Sequence, residues 1–229
     1  GFEEAKRYDD ALKSYHQALE IDPQYATAWS NIGGVYGAQE QYQQAIDAFQ
    51  KAVQIDPQNP DWHNNLGVGF EGAKRYDDAL KSYHQALEID PQYATAWSNI
   101  GDVYRAQKQH QQTIDAYQKA VKIDPQNPNW HNNLGVGYKE AERYDDALKS
   151  YHQALEIDPQ YARAWSNISD VYRAQKQYEQ AIDACQKAVK IDPQNPRWHN
   201  NLGVGFEEAK RYDDALKSYH QALEIDPQY

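Results

Sequence analysis

The stretch Tyr-Asp-Asp-Ala-Leu-Lys-Ser-Tyr-His-Gln-Ala-Leu-Glu-Ile-Asp-Pro-Gln-Tyr at residues 8–25 decides the fold, because it recurs at a fixed spacing. The same residues return unchanged three times, at 76–93, 144–161 and 212–229. A related string, YQQAIDAFQKAVQIDPQN at 42–59, recurs with changes at 110–127 and 178–195. An Asp-Pro step therefore falls every 34 residues, from Pro23 to Pro227. A fixed period of roughly 20 to 50 residues is typical of a stacked repeat array.

Composition supports an array and excludes several classes of partner. The mean hydropathy is −1.01, so each repeat buries only a narrow apolar stripe against its neighbours. No run of about 18 apolar residues is present, and no leader peptide is visible. The net charge of −11 argues against binding to nucleic acid or to anionic membranes. We therefore expect no nucleic acid partner and no membrane insertion.

Each 34-residue unit has the pattern of two helices. In 26–59, apolar residues recur at helical spacing in two runs, and Pro57 ends the second run because proline lacks the N–H donor. In 60–93, Asn59 is predicted to cap a helix whose first residue is Pro60. Two helices in each unit imply an all-α protein.

These positions resemble the tetratricopeptide repeat (TPR). The match consists of eight sites: Trp29, Ile32, Gly33, Tyr36, Ala45, Phe49, Ala52 and Pro57. The resemblance implies a right-handed α-solenoid, a superhelix of antiparallel helix pairs, with first helices on the concave face and second helices on the convex face. We expect one solenoid over 1–229, with a partial repeat at 1–25 and full repeats at 26–59, 60–93, 94–127, 128–161, 162–195 and 196–229.

The chain departs from the family pattern in the turn between the two helices. The family often has glycine there, whereas this chain has charged residues: Glu40, Lys74, Lys108, Glu142, Lys176 and Lys210. A non-glycine residue at positive φ costs roughly 1 kcal/mol, so we expect the turn to adopt another conformation. Ser169 also replaces the glycine found at Gly33 and Gly101.

The units alternate between two kinds, so the full repeat is 68 residues. Trp62 lies one residue earlier than the site of Trp29, and His63 takes that site. Gly69 follows Trp62 by seven residues, on the same helical face, where the other kind of unit has Ala28 and Val35. We predict that the large Trp62 and the small Gly69 pack against each other and together fill about the same volume as Ala28 and Val35 do in the other kind of unit.

Candidate chemistry is sparse. Gly67 to Gly72 matches a dinucleotide-binding glycine motif but lies inside a predicted helix, without the strand that this motif requires. The eight histidines recur singly and do not form a zinc cluster. The lone Cys185 replaces Phe49 and is predicted to be a small buried hydrophobe. We expect no enzyme activity, no catalytic residue, no metal and no cofactor.

The concave face carries the candidate binding site. Asparagine occupies repeat position six in every unit and position five in alternate units: Asn31, Asn64, Asn65, Asn99, Asn132, Asn133, Asn167, Asn200 and Asn201. Such a row is similar to the asparagine-lined superhelix of the O-linked N-acetylglucosamine transferases, and carboxamides can hold a peptide backbone. The alternative is that these asparagines make hydrogen bonds between helices. The lysine-containing clamp for acidic chaperone tails is absent.

Differences between copies also fall on first helices, and the cations that they add include Arg105, Lys139 and Arg173. We include these three among the candidate peptide-binding residues. The differences either set the register of a partner or reflect drift after duplication.

Two functions follow. The first is a scaffold that holds an extended peptide or a partner helix in the groove. The second is a structural protein that stacks copies of itself end to end or laterally into a fibre, which two features favour: near-identical copies and a final helix without a polar cap. The chain begins within a repeat and lacks methionine, so a piece of a longer array is also expected. A scaffold is expected to be soluble and cytoplasmic, and a fibre extracellular.

The invariant stretch is expected on the convex second helix. Its polar side is predicted to be exposed, at Asp77, Asp78, Lys81, Ser82, His84, Gln85 and Glu88. These residues are where a lateral fibre contact would be tested.

Overall fold

The structure is a computed structural model that describes residues 2–228, with side chains from residue 7 onward. This part of the chain forms helices joined by short turns, and it contains no strand. The helices are α1 (Phe2–Ile21), α2 (Ala26–Ala38), α3 (Tyr42–Ile55), α4 (Pro60–Gly72), α5 (Tyr76–Ile89), α6 (Ala94–Ala106), α7 (His110–Ile123), α8 (Pro128–Glu140), α9 (Tyr144–Ile157), α10 (Ala162–Ala174), α11 (Tyr178–Ile191), α12 (Pro196–Glu208) and α13 (Tyr212–Ile225).

The chain contains two compact units, residues 1–109 and 110–229. In the first unit, α2 pairs with α3 and α4 with α5; in the second, α8 pairs with α9, α10 with α11 and α12 with α13. Within each unit every pair stacks on the next, as α3 does on α4 and α11 on α12. The predicted all-α solenoid of helix pairs is therefore confirmed, and a single domain over 1–229 remains a prediction.

First helices lie closer together than second helices. The first helices α2 and α4, α4 and α6, α8 and α10, and α10 and α12 contact one another. In the described part of each unit, no two second helices do so. Elements on the inner side of a curved stack are the more closely spaced, so the first helices form the inner side of each unit. We call this surface the first-helix face.

The end of the repeated stretch forms the loop between pairs. Helix α5 ends at Ile89, and the Oδ1 atom of Asp90 accepts a hydrogen bond from the Gln92 N–H at 2.9 Å. This local bond makes Asp-Pro-Gln a stable turn. The predicted cap is also confirmed, because the Asn59 side chain accepts the Asp61 N–H at 2.9 Å with Pro60 at the first helical position.

Histidine at the shifted tryptophan site holds the same loop. His63 is buried, and its Nε2–H donates to the carbonyl oxygen of Pro57 at 2.9 Å. Trp29 occupies the corresponding site, and its Nε1–H donates to the Pro23 carbonyl at 3.4 Å. His131 and His199 repeat the bond of His63. The two kinds of unit therefore fasten this loop with different side chains.

The predicted packing of Trp62 against Gly69 is wrong. A Cβ atom at Gly69 would lie 3.1 Å from Phe49 Cδ2 and 3.3 Å from Ile46 Cγ1, so its neighbour is the second helix α3. Residues seven apart are separated by about 10 Å along a helix and share a face without touching. The glycine makes room for the aromatic ring of the preceding pair.

The exposed side of the invariant stretch is smaller than predicted. Ser82 is buried, and its Oγ–H donates to the Asp78 carbonyl at 3.0 Å, which corrects its placement at the surface. The Asp78 carboxylate accepts from Arg75 at 2.8 Å. His84 contacts the ring of Trp97 edge to face, with the ring centroids 6.2 Å apart. These three residues therefore have structural roles within the first unit.

The turn within each pair does adopt positive φ, and the expectation of another conformation is wrong. The six charged turn residues have φ between 58° and 62°. After α2, the Gln41 N–H donates to the Tyr36 carbonyl at 2.8 Å and the Glu40 N–H to the Gly37 carbonyl at 3.0 Å. This pair of bonds is the Schellman motif, which satisfies the last carbonyls of the helix. The hydrogen bonds hold a side chain where glycine is preferred.

We predict that Lys74→Gly raises the free energy of unfolding by about 0.5–1 kcal/mol, because glycine has no Cβ to strain at φ 59°. Urea unfolding of the chain measures this change. Lys74→Ala is the control, since it removes the charge and keeps the Cβ atom. Equal stability of the glycine and alanine variants would contradict the strain.

Candidate functional site on the first-helix face

Asparagines at repeat position six link successive first helices. In the first unit, Asn65 Nδ2 donates to Ser30 Oγ at 3.0 Å, and Asn99 Nδ2 donates to Asn64 Oδ1 at 2.9 Å. In the second unit the same bonds join two further pairs, Asn167 to Asn132 at 2.8 Å and Asn201 to Ser166 at 2.8 Å. Asparagines at position six therefore do make hydrogen bonds between helices, which was the alternative to peptide binding.

The candidate asparagines differ in accessibility. Asn31 is exposed, whereas Asn64 and Asn132 are buried. The others are half-buried: Asn65, Asn99, Asn133, Asn167, Asn200 and Asn201. A carboxamide has two N–H donors and an oxygen with two lone pairs, so one bond between helices does not use all of its capacity. Contact of the half-buried and exposed members with a peptide remains a prediction.

The three candidate cations already have carboxylate partners. Arg105 lies 3.1 Å from Asp102. Lys139 lies 3.2 Å from Asp170. Any anionic group of a partner would therefore compete with carboxylates of the chain itself.

Arg173 has the most complete set of partners. It makes two hydrogen bonds to Glu208, at 2.7 and 2.9 Å, and lies 3.4 Å from Asp170. Its hydrogen bonds with Glu208 raise the pKa of the Arg173 guanidinium and lower the pKa of the Glu208 carboxyl. Lys139, Asp170, Arg173 and Glu208 thus form a chain of alternating charge in the second unit.

The first unit has open space on its first-helix face. One cavity of about 530 Å³ is lined by Gly34, Gly37, Val68, Glu71 and Gly72, together with Gly33, Ala38, Tyr42, Phe49, Gly69, Asn99 and Asp102. An adjoining cavity of about 420 Å³ includes Asn31 and Asn65. Sequence reasoning placed these asparagines on the face and missed Val68 and Glu71. The available signal was the cluster of glycines that only this copy contains.

Whether the hydroxyl of one buried tyrosine has a hydrogen-bond partner depends on the residue that faces it from the first helix. Tyr83 Oη–H donates to Glu71 at 2.8 Å, and burial raises the pKa of this phenol. Tyr151 is the matching residue of the second unit, where Lys139 replaces the glutamate. The buried Tyr151 hydroxyl has no hydrogen-bond partner among the described residues. The exchange of glutamate for lysine therefore removes an acceptor inside the unit.

Cys185 and Ser169 replace an aromatic residue and a glycine that contact each other in the first unit. The two residues are buried, and Cys185 Sγ–H donates to Ser169 Oγ at 2.9 Å. At the corresponding place in the first unit, a Cβ atom on Gly33 would lie 2.6 Å from the Phe49 ring. Replacing the ring by a thiol makes room for a serine side chain. Burial raises the pKa of the Cys185 thiol to about 11, so the thiolate needed for nucleophilic attack is scarce.

We predict strong coupling between these two positions. Cys185→Phe alone should lower the free energy of unfolding by about 1–3 kcal/mol, because the ring collides with Ser169. Adding Ser169→Gly should restore much of that loss by recreating the arrangement of Gly33 and Phe49. A double-mutant cycle in urea measures the coupling. Strictly additive losses would contradict the predicted coupling.

The described part of the chain offers neither a metal cluster nor a membrane span. No three His, Cys, Asp or Glu side chains in it come together to hold an ion. None of its helices is both long enough and apolar enough to cross a bilayer.

Family models of the tetratricopeptide repeat match the chain along its length, at residues 2–58, 24–92, 58–126, 92–160, 138–202 and 196–229. The chain belongs to the tetratricopeptide repeat family. TPR arrays are typically non-catalytic scaffolds for protein interaction. A search of curated proteins returned no match.

Solved TPR structures resemble the chain in fold. The Cut9-Hcn1 hetero-tetramer of APC/C matches over 99% of this chain and 45% of that chain, with 19% identity and a TM-score of 0.75. MamA matches over 71% of this chain and 95% of its own, with 23% identity and a TM-score of 0.60. YrrB, described as a TPR protein with an unusual peptide-binding site, matches over 80% of this chain and 95% of its own, with 22% identity and a TM-score of 0.56.

Proposed function

We propose that this TPR chain is a non-catalytic scaffold that holds an extended peptide of a partner protein on its first-helix face. The observation that supports the proposal is the pair of adjoining cavities in the first unit, of about 530 and 420 Å³. Both are lined mainly by first helices, with aromatic rings of α1 or α3 at the side, and both include predicted groove residues, among them Asn31, Asn65 and Asn99. Similarity in fold to YrrB, a TPR protein with a peptide-binding site, is consistent with this use.

The face has both kinds of group that peptide capture needs. Val68 is 48% exposed and offers an apolar contact at the rim of both cavities. The exposed Asn31 offers donors and an acceptor to a peptide backbone. A peptide backbone presents the complementary donor and acceptor at every residue except proline, so the contact depends little on its sequence.

The proposal is tested with a displayed library of random twelve-residue peptides, selected on the chain and measured by fluorescence anisotropy. We predict that Val68→Ser lowers the affinity of the selected peptides by about fivefold, because it removes apolar surface from the contact without adding charge. The variant should fold, since the Val68 side chain is 48% exposed.

Gln85→Glu is the matched control. It changes one side chain on the exposed side of the second helix α5, away from the cavities, and so tests for effects that do not depend on the site. Peptide affinity should be unchanged in this variant. Failure to select any peptide, or equal losses in both variants, would overturn the proposal.

A fibre is the second candidate, and one observation favours it. The outer side of α13 exposes Tyr212, Leu216 and Leu223, by 60%, 57% and 44%. The identical residues of α5 are less exposed, because α6 packs on that helix. A further helix or a second copy of the chain would cover the apolar side of α13.

Light scattering and negative-stain microscopy of residues 1–229 test this candidate. End-to-end assembly predicts that mass rises with concentration and that Leu216→Lys abolishes the rise, because a charge replaces the apolar contact. A monomer at every concentration would exclude the fibre.

A further inference from the structure

Three positions that are charged in a later copy of the repeat are glycine beside the large cavity of the first unit. Gly34, Gly37 and Gly72 correspond to Asp170, Arg173 and Glu208, two 68-residue repeats later. In the second unit these three side chains are bonded to one another: Arg173 lies 2.7 Å from Glu208 and 3.4 Å from Asp170. That network lines a cavity of about 420 Å³, so the two cavities differ in the charge of their walls.

One wall position of this cavity has the opposite charge one 68-residue repeat later. Glu71 and Asp102 both line the cavity, and at that offset they correspond to Lys139 and Asp170, which form an ion pair at 3.2 Å. The pair in the second unit shows that an ammonium group fits beside the aspartate at the position of Asp102. In the first unit a second carboxylate takes the place of the lysine.

Two carboxylates line this cavity, and one arginine lies near them. Arg105 pairs with Asp102 at 3.1 Å, and the Glu71 carboxylate accepts a hydrogen bond from the neutral Tyr83 hydroxyl. Burial raises the pKa of Glu71; the hydrogen bond from Tyr83 opposes the rise, the charge of Asp102 adds to it, and the charge of Arg105 opposes it. A cation placed in the cavity would stabilise the charged form of Glu71, which burial and the nearby charge of Asp102 disfavour.

The remaining wall suits the stem of a long side chain. It consists of glycines, Ala38, Val68 and the rings of Tyr42 and Phe49. Lysine and arginine bury their methylene groups along apolar surface and keep the charge at a polar end. An arginine also stacks on aromatic rings, as Arg75 does over Phe70 at 4.5 Å elsewhere in this unit.

We propose that this glycine-lined cavity is a specificity pocket for a lysine or arginine side chain of the partner peptide, whose cation pairs with Glu71 and Asp102. The inference rests on the proposed function, since it names the side chain that the bound peptide places in the unit. The partner thereby supplies the cation that Lys139 supplies from within the second unit. In the cavity of the second unit, Lys139 and Arg173 already pair with Asp170 and Glu208, so the carboxylates there have cations from the chain itself.

The test uses the same peptide library and asks which residues the selected peptides share. Wild-type chain should select peptides with lysine or arginine at one fixed position. Replacing that residue by norleucine, which keeps the stem and removes the charge, should lower the affinity by about tenfold or more. Citrulline serves the same purpose for arginine.

One variant reverses the charge of the pocket in a way that the chain itself already uses. Glu71→Lys recreates the pair of Lys139 with Asp170. The variant should fold, as circular dichroism and thermal unfolding will show. It should lose the preference for the basic residue and bind the norleucine peptide as well as the parent peptide.

Glu88→Lys is the matched control for charge. It makes the same change of two units on the exposed side of α5, where a sister unit has Lys122. This variant should keep the preference for the basic peptide. A preference that is also lost here would assign the effect to net charge and overturn the pocket.

The outcomes separate the two proposals. If no peptide is selected by any form of the chain, the scaffold function fails, and the pocket with it. If peptides are selected without a shared basic residue, or if Glu71→Lys keeps the basic preference, the scaffold stands and the pocket is wrong. If the norleucine peptide binds wild-type chain as tightly as the parent, the cation has no role and the pocket is also overturned.

Discussion

The close approach of the two helices in each pair is the constraint on which the rest of the structure depends. A Cβ atom on Gly135 would lie 2.5 Å from the ring of Tyr151, and one on Gly33 would lie 2.6 Å from the ring of Phe49. No ordinary side chain fits at such distances, so glycine on the first helix and an aromatic ring on the second specify each other. Where the pair differs, as with Ser169 and Cys185, both members have changed together. This contact sets the spacing of the helices and therefore the width of the first-helix face.

The first-helix face contains two sets of residues that differ in how much they vary between copies of the repeat. Hydrogen bonds from position-six asparagines run from one first helix to the next and hold the helices in register. Beside them, the positions of Gly34 and Gly37 can hold glycine or a charged residue, because a Cβ atom at either glycine would meet nothing within 4 Å. Similar backbones thus present a glycine-lined cavity in one unit and a cavity lined by a charged network in the other. This is a simple physical route to a selective site in a repetitive protein.

Sequence reasoning was most accurate where one residue type has one physical consequence. Proline after the second helix, the Asn59 cap and the period of 34 residues predict the helices and their ends without any knowledge of packing. It failed where two helices meet. The partner of Gly69 is Phe49, which is 20 residues away in the chain, whereas the helical wheel suggested Trp62. The turn residues show a second kind of failure: local strain predicted another conformation at Lys74, but the hydrogen bonds of the Schellman motif outweigh the cost of positive φ.

By itself the sequence determined the family, the two helices of each repeat and the surface on which asparagines lie, because these follow from periodicity and from the local rules of helix ends. Only the tertiary structure decided how those residues are used. It shows that Asn64 and Asn132 are buried acceptors between helices, that Arg105, Lys139 and Arg173 are already paired, and that the glycines of one copy open a cavity beside Glu71. The physical reason is that hydrogen bonds, ion pairs and empty volume are made between residues about 35 positions apart. Their geometry follows from the stacking of the pairs, which a single repeat does not contain.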